Sequence, residues 1–591
     1  MRRRVGFLLI PALLLVRSGA ANSNATTVVH DAADSYWRLV LDEYPEVKIS
    51  RGMEVEALPD PSVAHASALA LRARSLLAPL AGVDAARLEP ENAITLGILR
   101  IQLGRIVEAP EFANFDNPVT PYGGGMRGVE QIFSEHPFRN SEDAARYLAL
   151  LDQYPLFLRR VEDRLRRSAA AGIVAPKAEI AICVPFLETF DAAGDGSPFA
   201  VSAGRLAALP TSSASALRRQ VDARIRERIH PAFRRLLDYV KGEYAARAPA
   251  AVGLGQYPGG AACYRRLIRV QTGLDLSPEE IHRIGLSEIE RIRGELDRLR
   301  REAGFSGDLD AFKPFLKTDR RFFPATPEEI GERLMSAIRR IEPRISAQFG
   351  STPKAPYGVR RLDPELEPAM TFGYYQQPTP ARPRGDYLYN GSRLSERSLL
   401  NAPALIYHEL VPGHHFQINL QKENAALPVF RREDFSENGF VEGWGEYASA
   451  LAGELGMYAD PYDACGRLAM DAFVSARLVV DTGMNALGWS RDRAIAYMKE
   501  NTFEADLQIS TETLRYSADI PAQALAYKLG ARKIRELREK ARAALGPAFD
   551  VRAFHDAVLG SGAIPLSVLE QKIDGFIATR RPAARGGGTP R

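Results

Sequence analysis

Apolar residues recur three and four positions apart over residues 142–170, 215–246, 278–303 and 326–347, each time on a charged background. This spacing predicts long amphipathic helices. The start of the third is marked most clearly. Ser277 suits an N-cap because its hydroxyl accepts an orphan N–H, Pro278 lacks the N–H that the first turn leaves unpaired, and Glu279 and Glu280 sit at the positive end. Loops rich in proline and glycine interrupt the helical pattern at 109–125, 251–260, 350–357 and 377–386. Around the last of these, Met370 to Gln377 and Asp386 to Asn390 are short and aromatic-rich and predict strands of a small sheet. From Ser395 onward the pattern is mostly helical again. The expected fold is mainly α, with a small β-sheet beside whatever chemistry follows it.

At 591 residues the chain exceeds the roughly 250–300 residues at which one hydrophobic core stops growing, so two or three lobes are expected. Hydrophobic residues make up 46% and charged residues 25%, a globular composition that excludes bulk disorder. Residues 1–20 read as an export signal. Arg2, Arg3 and Arg4 form a basic start, Val5 to Val16 an apolar run, and Ser18-Gly19-Ala20 a small-residue cleavage site. The run is shorter than the roughly 20 apolar residues that span a bilayer. No cysteine follows it, which argues against a lipid anchor. Residues 21–32 then read as a linker, 33–578 as the helical domain and 579–591 as a basic, disordered tail. A periplasmic or secreted protein is expected, with no stable membrane insertion once the signal is cleaved.

Charge changes the picture little. The net +4 comes from Arg2, Arg3, Arg4 and Arg17 of the leader, so the mature chain is neutral and offers no nucleic-acid groove. Cys183, Cys263 and Cys465 are too few and too scattered for a disulfide scaffold or a cysteine zinc site.

The chemistry concentrates at residues 407–417, Tyr-His-Glu-Leu-Val-Pro-Gly-His-His-Phe-Gln, which hold three of the nine histidines. Imidazole is the commonest protein ligand for Zn²⁺, and a neighbouring carboxylate can deprotonate an activated water. The segment is a stretched form of His-Glu-x-x-His, with Pro412 where the second histidine would stand. On a straight helix from Ala402, with Asn401 as its cap, His415 returns to within about 20° of His408, whereas His414 lies about 120° away. Pro412 cannot donate to the carbonyl of His408, and Gly413 lets the backbone turn sharply, so a kink can bring His414 round instead. The spacing alone leaves the choice between His414 and His415 open. Glu409 takes the place of the general base. A third ligand is expected from another helix, and the best source is the segment from Glu437 to Tyr447, where Glu442 and Glu446 share one helical face. Gly443 and Gly445 are poor helix formers whose presence there suggests close packing against the metal helix.

In sequence, His408-Glu409-Leu410-Val411-Pro412-Gly413-His414 is followed by Glu442-Gly443-Trp444, by Arg477-Leu478-Val479-Val480-Asp481-Thr482-Gly483, by Arg515-Tyr516 and by Gln523-Ala524-Leu525-Ala526-Tyr527-Lys528. Across residues 33–578 this order resembles the bacterial domain-of-unknown-function family eight-eight-five, whose members are similar to zinc metallopeptidases of the gluzincin type. The chain departs from the family pattern at Asn485, where histidine is common, and at Ala522, where glycine is common. The resemblance implies a two-lobed helical fold with a deep cleft, and Zn²⁺ held by His408, His414 and Glu442 with Glu409 as base. It suggests Tyr516 as oxyanion donor, with Tyr527 as a weaker candidate. Asp481 is expected either to orient a ligand histidine or to pair with Arg477, and His415 and Arg515 stand as further substrate-binding or supporting residues. The expected activity is hydrolysis of peptides. The alternatives are a catalytically silent peptide-binding protein and a metal hydrolase of non-peptide amides or esters.

Overall fold

A computed structural model describes residues 12–122, 124–192, 196–367, 373–379 and 382–581. Arg2 to Arg4 of the expected leader and Arg585 and Arg591 of the expected tail lie outside them, as do Met370 to Phe372 at the start of the first expected strand. The described chain is mainly helical, and among its residues no helix is long and apolar enough to cross a membrane.

The four periodic segments are helices. Ser141–Ala170 and Pro278–Glu302 lie within a residue or two of their expected bounds. Ser277 and Glu280 form a reciprocal capping box, so two orphan N–H groups are satisfied at once. The segment from Thr211 runs almost unbroken to Tyr244, with π-turns at Ile225–Ile229 and Val240–Tyr244. Pro327–Ile341 tightens into a 3₁₀ turn over Glu342–Ala347. Residues 21–32, read as a linker, belong to a helix spanning Ala12–Glu43, whose Val29, Ala33 and Tyr36 are buried. Residues 579 and 580, counted with the expected tail, belong to the last helix, Leu566–Arg580.

Three short strands form one mixed sheet in the order β1 (Tyr357–Arg361), β3 (Gly385–Tyr389), β2 (Gly373–Gln376). β1 runs parallel to β3 with Tyr357 opposite Gly385, and β2 runs antiparallel to it with Gly373 opposite Tyr389. The sequence pattern indicates β2 and β3 but not β1, whose Arg360 and Arg361 interrupt any apolar alternation.

Two large buried clusters organise the helices. One gathers the N-terminal helix, the sheet, the segment 402–457 and the C-terminal helices, and it contains Tyr407, Leu410, Phe416 and Trp444. The other is built from residues between Ile49 and Ala248, with aromatic rings of Phe133, Tyr154, Phe199 and Phe233 in mutual contact. Cys183, Cys263 and Cys465 are buried and unpaired.

Candidate metal centre

The segment that carries the histidines is two helices. The first motif helix, Ala402–Glu409, stops where Pro412 would have to donate to a carbonyl, and the second, His414–Glu423, restarts after a tight turn. Asn401 stands at the N-cap position and its carbonyl accepts from Leu405 N–H at 2.9 Å, but its side chain makes no capping bond and lines a pocket instead. Gly413 is required at the turn. A Cβ there would lie 1.8 Å from the His408 carbonyl oxygen and 2.5 Å from that of Tyr407, backbone atoms that cannot move aside. Trp444 Nε1 donates to the Pro412 carbonyl at 2.8 Å, which satisfies a group that the broken helix leaves exposed in the core.

The break decides between the two histidines. It turns His414 toward His408, with ring centroids 4.6 Å apart and planes at 86°. His415 points to the sheet, where Nδ1 lies 2.9 Å from Tyr375 Oη and Nε2 lies 3.0 Å from the Ala355 carbonyl oxygen. Its ring also packs on Tyr357, and a Cβ on Gly385 would strike its Nδ1 at 2.7 Å. Both of its nitrogens are occupied, and burial pushes its pKa down to about 4, so it acts as a neutral clamp between helix and sheet.

Glu442 comes from the helix Asn438–Glu454. Its Oε2 lies 3.3 Å from His414 Nε2 and 3.6 Å from His408 Nε2. Burial opposes its charge, but hydrogen bonding to His408 and His414 outweighs this and holds its carboxyl well below the usual range. His414 shows the reciprocal effect: burial disfavours its charge, yet bonding to Glu442 raises its pKa overall. Among the described residues, His408, His414 and Glu442 form the one group of three or more such side chains with ligand atoms all within 4.8 Å of one another. Bonds of about 2.0–2.1 Å in a tetrahedral zinc site put ligand atoms roughly 3.4 Å apart, close to the 3.3 and 3.6 Å between Glu442 Oε2 and the two imidazole Nε2 atoms, so the chemistry and these two spacings fit such a site.

The glycines flanking Glu442 bring it there. A Cβ on Gly445 would meet the His408 ring at 2.8–3.1 Å, and one on Gly443 would lie 2.6 Å from the backbone of Gly530 in the helix Leu525–Leu545. Glu446, one turn beyond Glu442, lies behind His408, with Oε2 4.0 Å from Nδ1, and its other oxygen is held by Arg467.

A cavity of about 390 Å³ opens on this cluster. Tyr374, Tyr375 and Tyr387 of the sheet line it opposite His408, Glu409, His414 and Glu442, with Phe473, Arg477, Glu504 and Tyr527 completing the wall. The Glu409 carboxylate makes no hydrogen bond or ion pair among the described residues. Burial raises its pKa, the neighbouring charges of His414 and His408 pull it back, and that of Glu442 adds to the rise.

The remaining expected residues fall differently. Tyr516 is absent from the pocket wall. It is buried, and its hydroxyl is bonded to the Glu512 carboxylate and accepts from Arg477 Nε at 2.6 Å. Tyr527 lines the pocket, its ring stacked on His408 at 6.0 Å and 15°. Arg515 pairs with Glu512 at 2.9 Å outside the pocket lining. Asp481 neither orients a ligand histidine nor pairs with Arg477. It accepts from Tyr264 at 2.6 Å and from the Ala522 backbone, while Arg477 pairs with Glu512 at 3.0 Å. Asn485 bonds to Asp481 and to the Tyr516 carbonyl. The sequence did not single out Glu504, one of three acids between Glu500 and Asp506 in a stretch with no chemical motif, nor the pocket tyrosines of the sheet as a group.

Residues 45–573 match the family described as a bacterial protein of unknown function, DUF885. Among solved structures the chain is similar to a protein from Colwellia psychrerythraea, with a TM-score of 0.83 and 26% identity over 94% of this chain and 99% of that one. A protein from Shewanella oneidensis shares the fold at a TM-score of 0.71 and 16% identity over 91% of this chain and 98% of that one. Each is described as a "putative lipoprotein", the second as of unknown function. No curated protein matches the chain.

Proposed function

The chain belongs to the DUF885 family, to which no function is assigned, and for it we propose zinc-dependent hydrolysis of peptide bonds in the pocket beside His408. The observation that carries the reading is a free carboxylate, Glu409, adjoining a donor set of zinc spacing at the wall of a cavity. His408, His414 and Glu442 would hold the metal. Bound Zn²⁺ would supply a Lewis acid for the scissile carbonyl and lower the pKa of water.

The chain's own groups perform the rest. Glu409 lies within the pocket with neither oxygen partnered among the described residues, so it can take a proton from water and return it to the leaving amine. Its burial favours the protonated form, which strengthens it as a base when ionised. Tyr527, and not Tyr516, presents a hydroxyl-bearing ring to the pocket next to His408, which fits a donor to the carbonyl oxygen as negative charge develops there. Glu446 places a carboxylate oxygen 4.0 Å behind His408 Nδ1, a negative charge on the side of the ring away from Glu442. The tyrosine-lined face of β2 and β3 offers an apolar, hydrogen-bonding surface for an extended peptide. Export fits the leader read from residues 1–20 and the lipoprotein description of the two structural neighbours.

Metal analysis of the purified mature chain, combined with a peptide-library digest, tests this reading. About one zinc per chain and cleavage that Glu409→Gln removes are expected. Stoichiometric zinc with no cleavage of any peptide favours a hydrolase of other amides or esters, and peptide binding without turnover favours a silent binding protein.

A further inference from the structure

On the peptidase reading above, we infer that Glu504 selects substrates that carry a cationic group, an ammonium or a guanidinium, by receiving it in the pocket wall. Glu504 lines the same cavity as His408, Glu409 and Glu442. Its carboxylate has no hydrogen bond or ion pair among the described residues, although cations surround it. Each of those cations is committed elsewhere. Lys317 Nζ reaches the backbone carbonyl of Glu504 at 3.5 Å, and Lys313 Nζ reaches that of Glu500 at 3.4 Å, so the two lysines of the helix Leu309–Thr318 anchor the backbone of this segment. Arg477 is spent on Tyr516 and Glu512 and is flanked by the rings of Phe473 and Tyr527 at 4.1 and 4.7 Å.

Glu504 is therefore a pocket carboxylate with no partner among the described residues and no place in the candidate metal site. Burial pushes its carboxyl up to about 7, with Arg477 and Lys317 opposing the rise and Glu512 adding to it. A half-buried acid in this condition gains most from a ligand that brings its own positive charge, because a neutral group leaves it unpaired. Met470, Phe473 and Val474 line the same pocket and suit the aliphatic stem of a lysine or arginine.

Calorimetric binding of short alanine peptides to the zinc-loaded Glu409→Gln protein tests the assignment. One matched pair exchanges lysine for norleucine, and the other exchanges a free for an acetylated N-terminus. We expect the cationic member of at least one pair to bind roughly tenfold tighter, as suits a charge-assisted hydrogen bond, and Glu504→Gln to erase that ratio. The pair that responds identifies the cation as a side chain or an amino terminus. Zinc content and circular dichroism equal to the parent's show that Glu504→Gln is folded. Equal affinities within both pairs, or a preference that survives Glu504→Gln, overturn the assignment. The same peptides incubated with Glu409-intact protein separate the two claims. Preference without cleavage removes the peptidase reading alone, cleavage without preference removes the Glu504 assignment alone, and no binding removes both.

Discussion

Both carboxylate oxygens of Asp481 receive the backbone N–H of Ala522, at 3.2 and 3.0 Å, and Ala522 is held there at φ +69°. An L-residue in the left-handed region costs about 1–2 kcal/mol, because its Cβ crowds the following carbonyl. Asp481 keeps the backbone in that shape in the turn that leads to Tyr527.

Ala522→Gly removes the Cβ that suffers there. The gain is partly offset by the greater freedom of glycine in the unfolded chain, so a net stabilisation of about 0.5–1 kcal/mol is expected in urea unfolding. A loss of stability would show that the alanine methyl, fully buried, contributes more by packing than its backbone costs.

Asp481 also gives stability a pH dependence. Burial lifts its carboxyl from 3.8 to about 7, against the bonds from Tyr264, Ala522 and Asn485 that favour the ionised form. The folded chain thus retains a proton that the unfolded chain releases. The contribution of this group is complete below the unfolded value and is lost as pH rises through about 7. The difference in unfolding free energy between wild type and Asp481→Asn should therefore fall between about pH 4 and pH 7. A flat difference across that window would exclude Asp481 as its source.

His408→Ala and His414→Ala should each lose stoichiometric zinc, while His415→Ala should keep it and lose stability instead, since it abandons Tyr375 and the Ala355 carbonyl. The cost of leaving such groups unpaired is about 1–3 kcal/mol. Metal analysis beside thermal unfolding reads both. Full zinc in His414→Ala with loss in His415→Ala would reverse the assignment.

Glu409→Gln preserves shape and removes the basic carboxylate. Zinc content should be unchanged, and peptide turnover should drop by about 10²–10⁴-fold. Wild-type turnover in this variant would take Glu409 out of the reaction.

The two tyrosines separate chemistry from architecture. Tyr527→Phe should lower kcat by about 10²-fold with little change in stability, in line with the loss of one donor to a developing oxyanion. Tyr516→Phe strips a partner from both Arg477 and Glu512 and should cost about 1–3 kcal/mol of stability with kcat near wild type. The opposite pattern would return Tyr516 to the pocket.

The helices and their caps were legible because burial on one face imposes a period that the sequence carries, as in Pro278–Glu302 with its Ser277 and Glu280 box. The break at Pro412 and Gly413 was legible too, since a missing donor and a missing Cβ are covalent facts. Its direction was not legible from spacing, and only the family motif pointed to His414. Whether His414 or His415 faces His408 depends on how Trp444 and the sheet receive the two ends, and those contacts join residues far apart in sequence. β1 was hidden for a related reason: its pairing with β3 is specified by β3 and by His415, not by its own alternation. Asp481, Arg477 and Glu512 show the limit most sharply. Spacing at i,i+4 suggested a pair between Asp481 and Arg477, but each found a better partner on another helix.

Gly443 and Gly530 bring two helices together with backbone against backbone. One of those helices carries Glu442 and the other carries Tyr527, so the separation of these two residues is set by main chain, with no side chain available to yield. That wall of the pocket behaves as an anvil: substrates of different girth cannot be admitted by repacking it. Accommodation falls to the opposite face, where β2 is an edge strand and Tyr374 is 40% exposed. Changes in substrate range among relatives of this chain should therefore be written in β2, while the two glycines stay fixed.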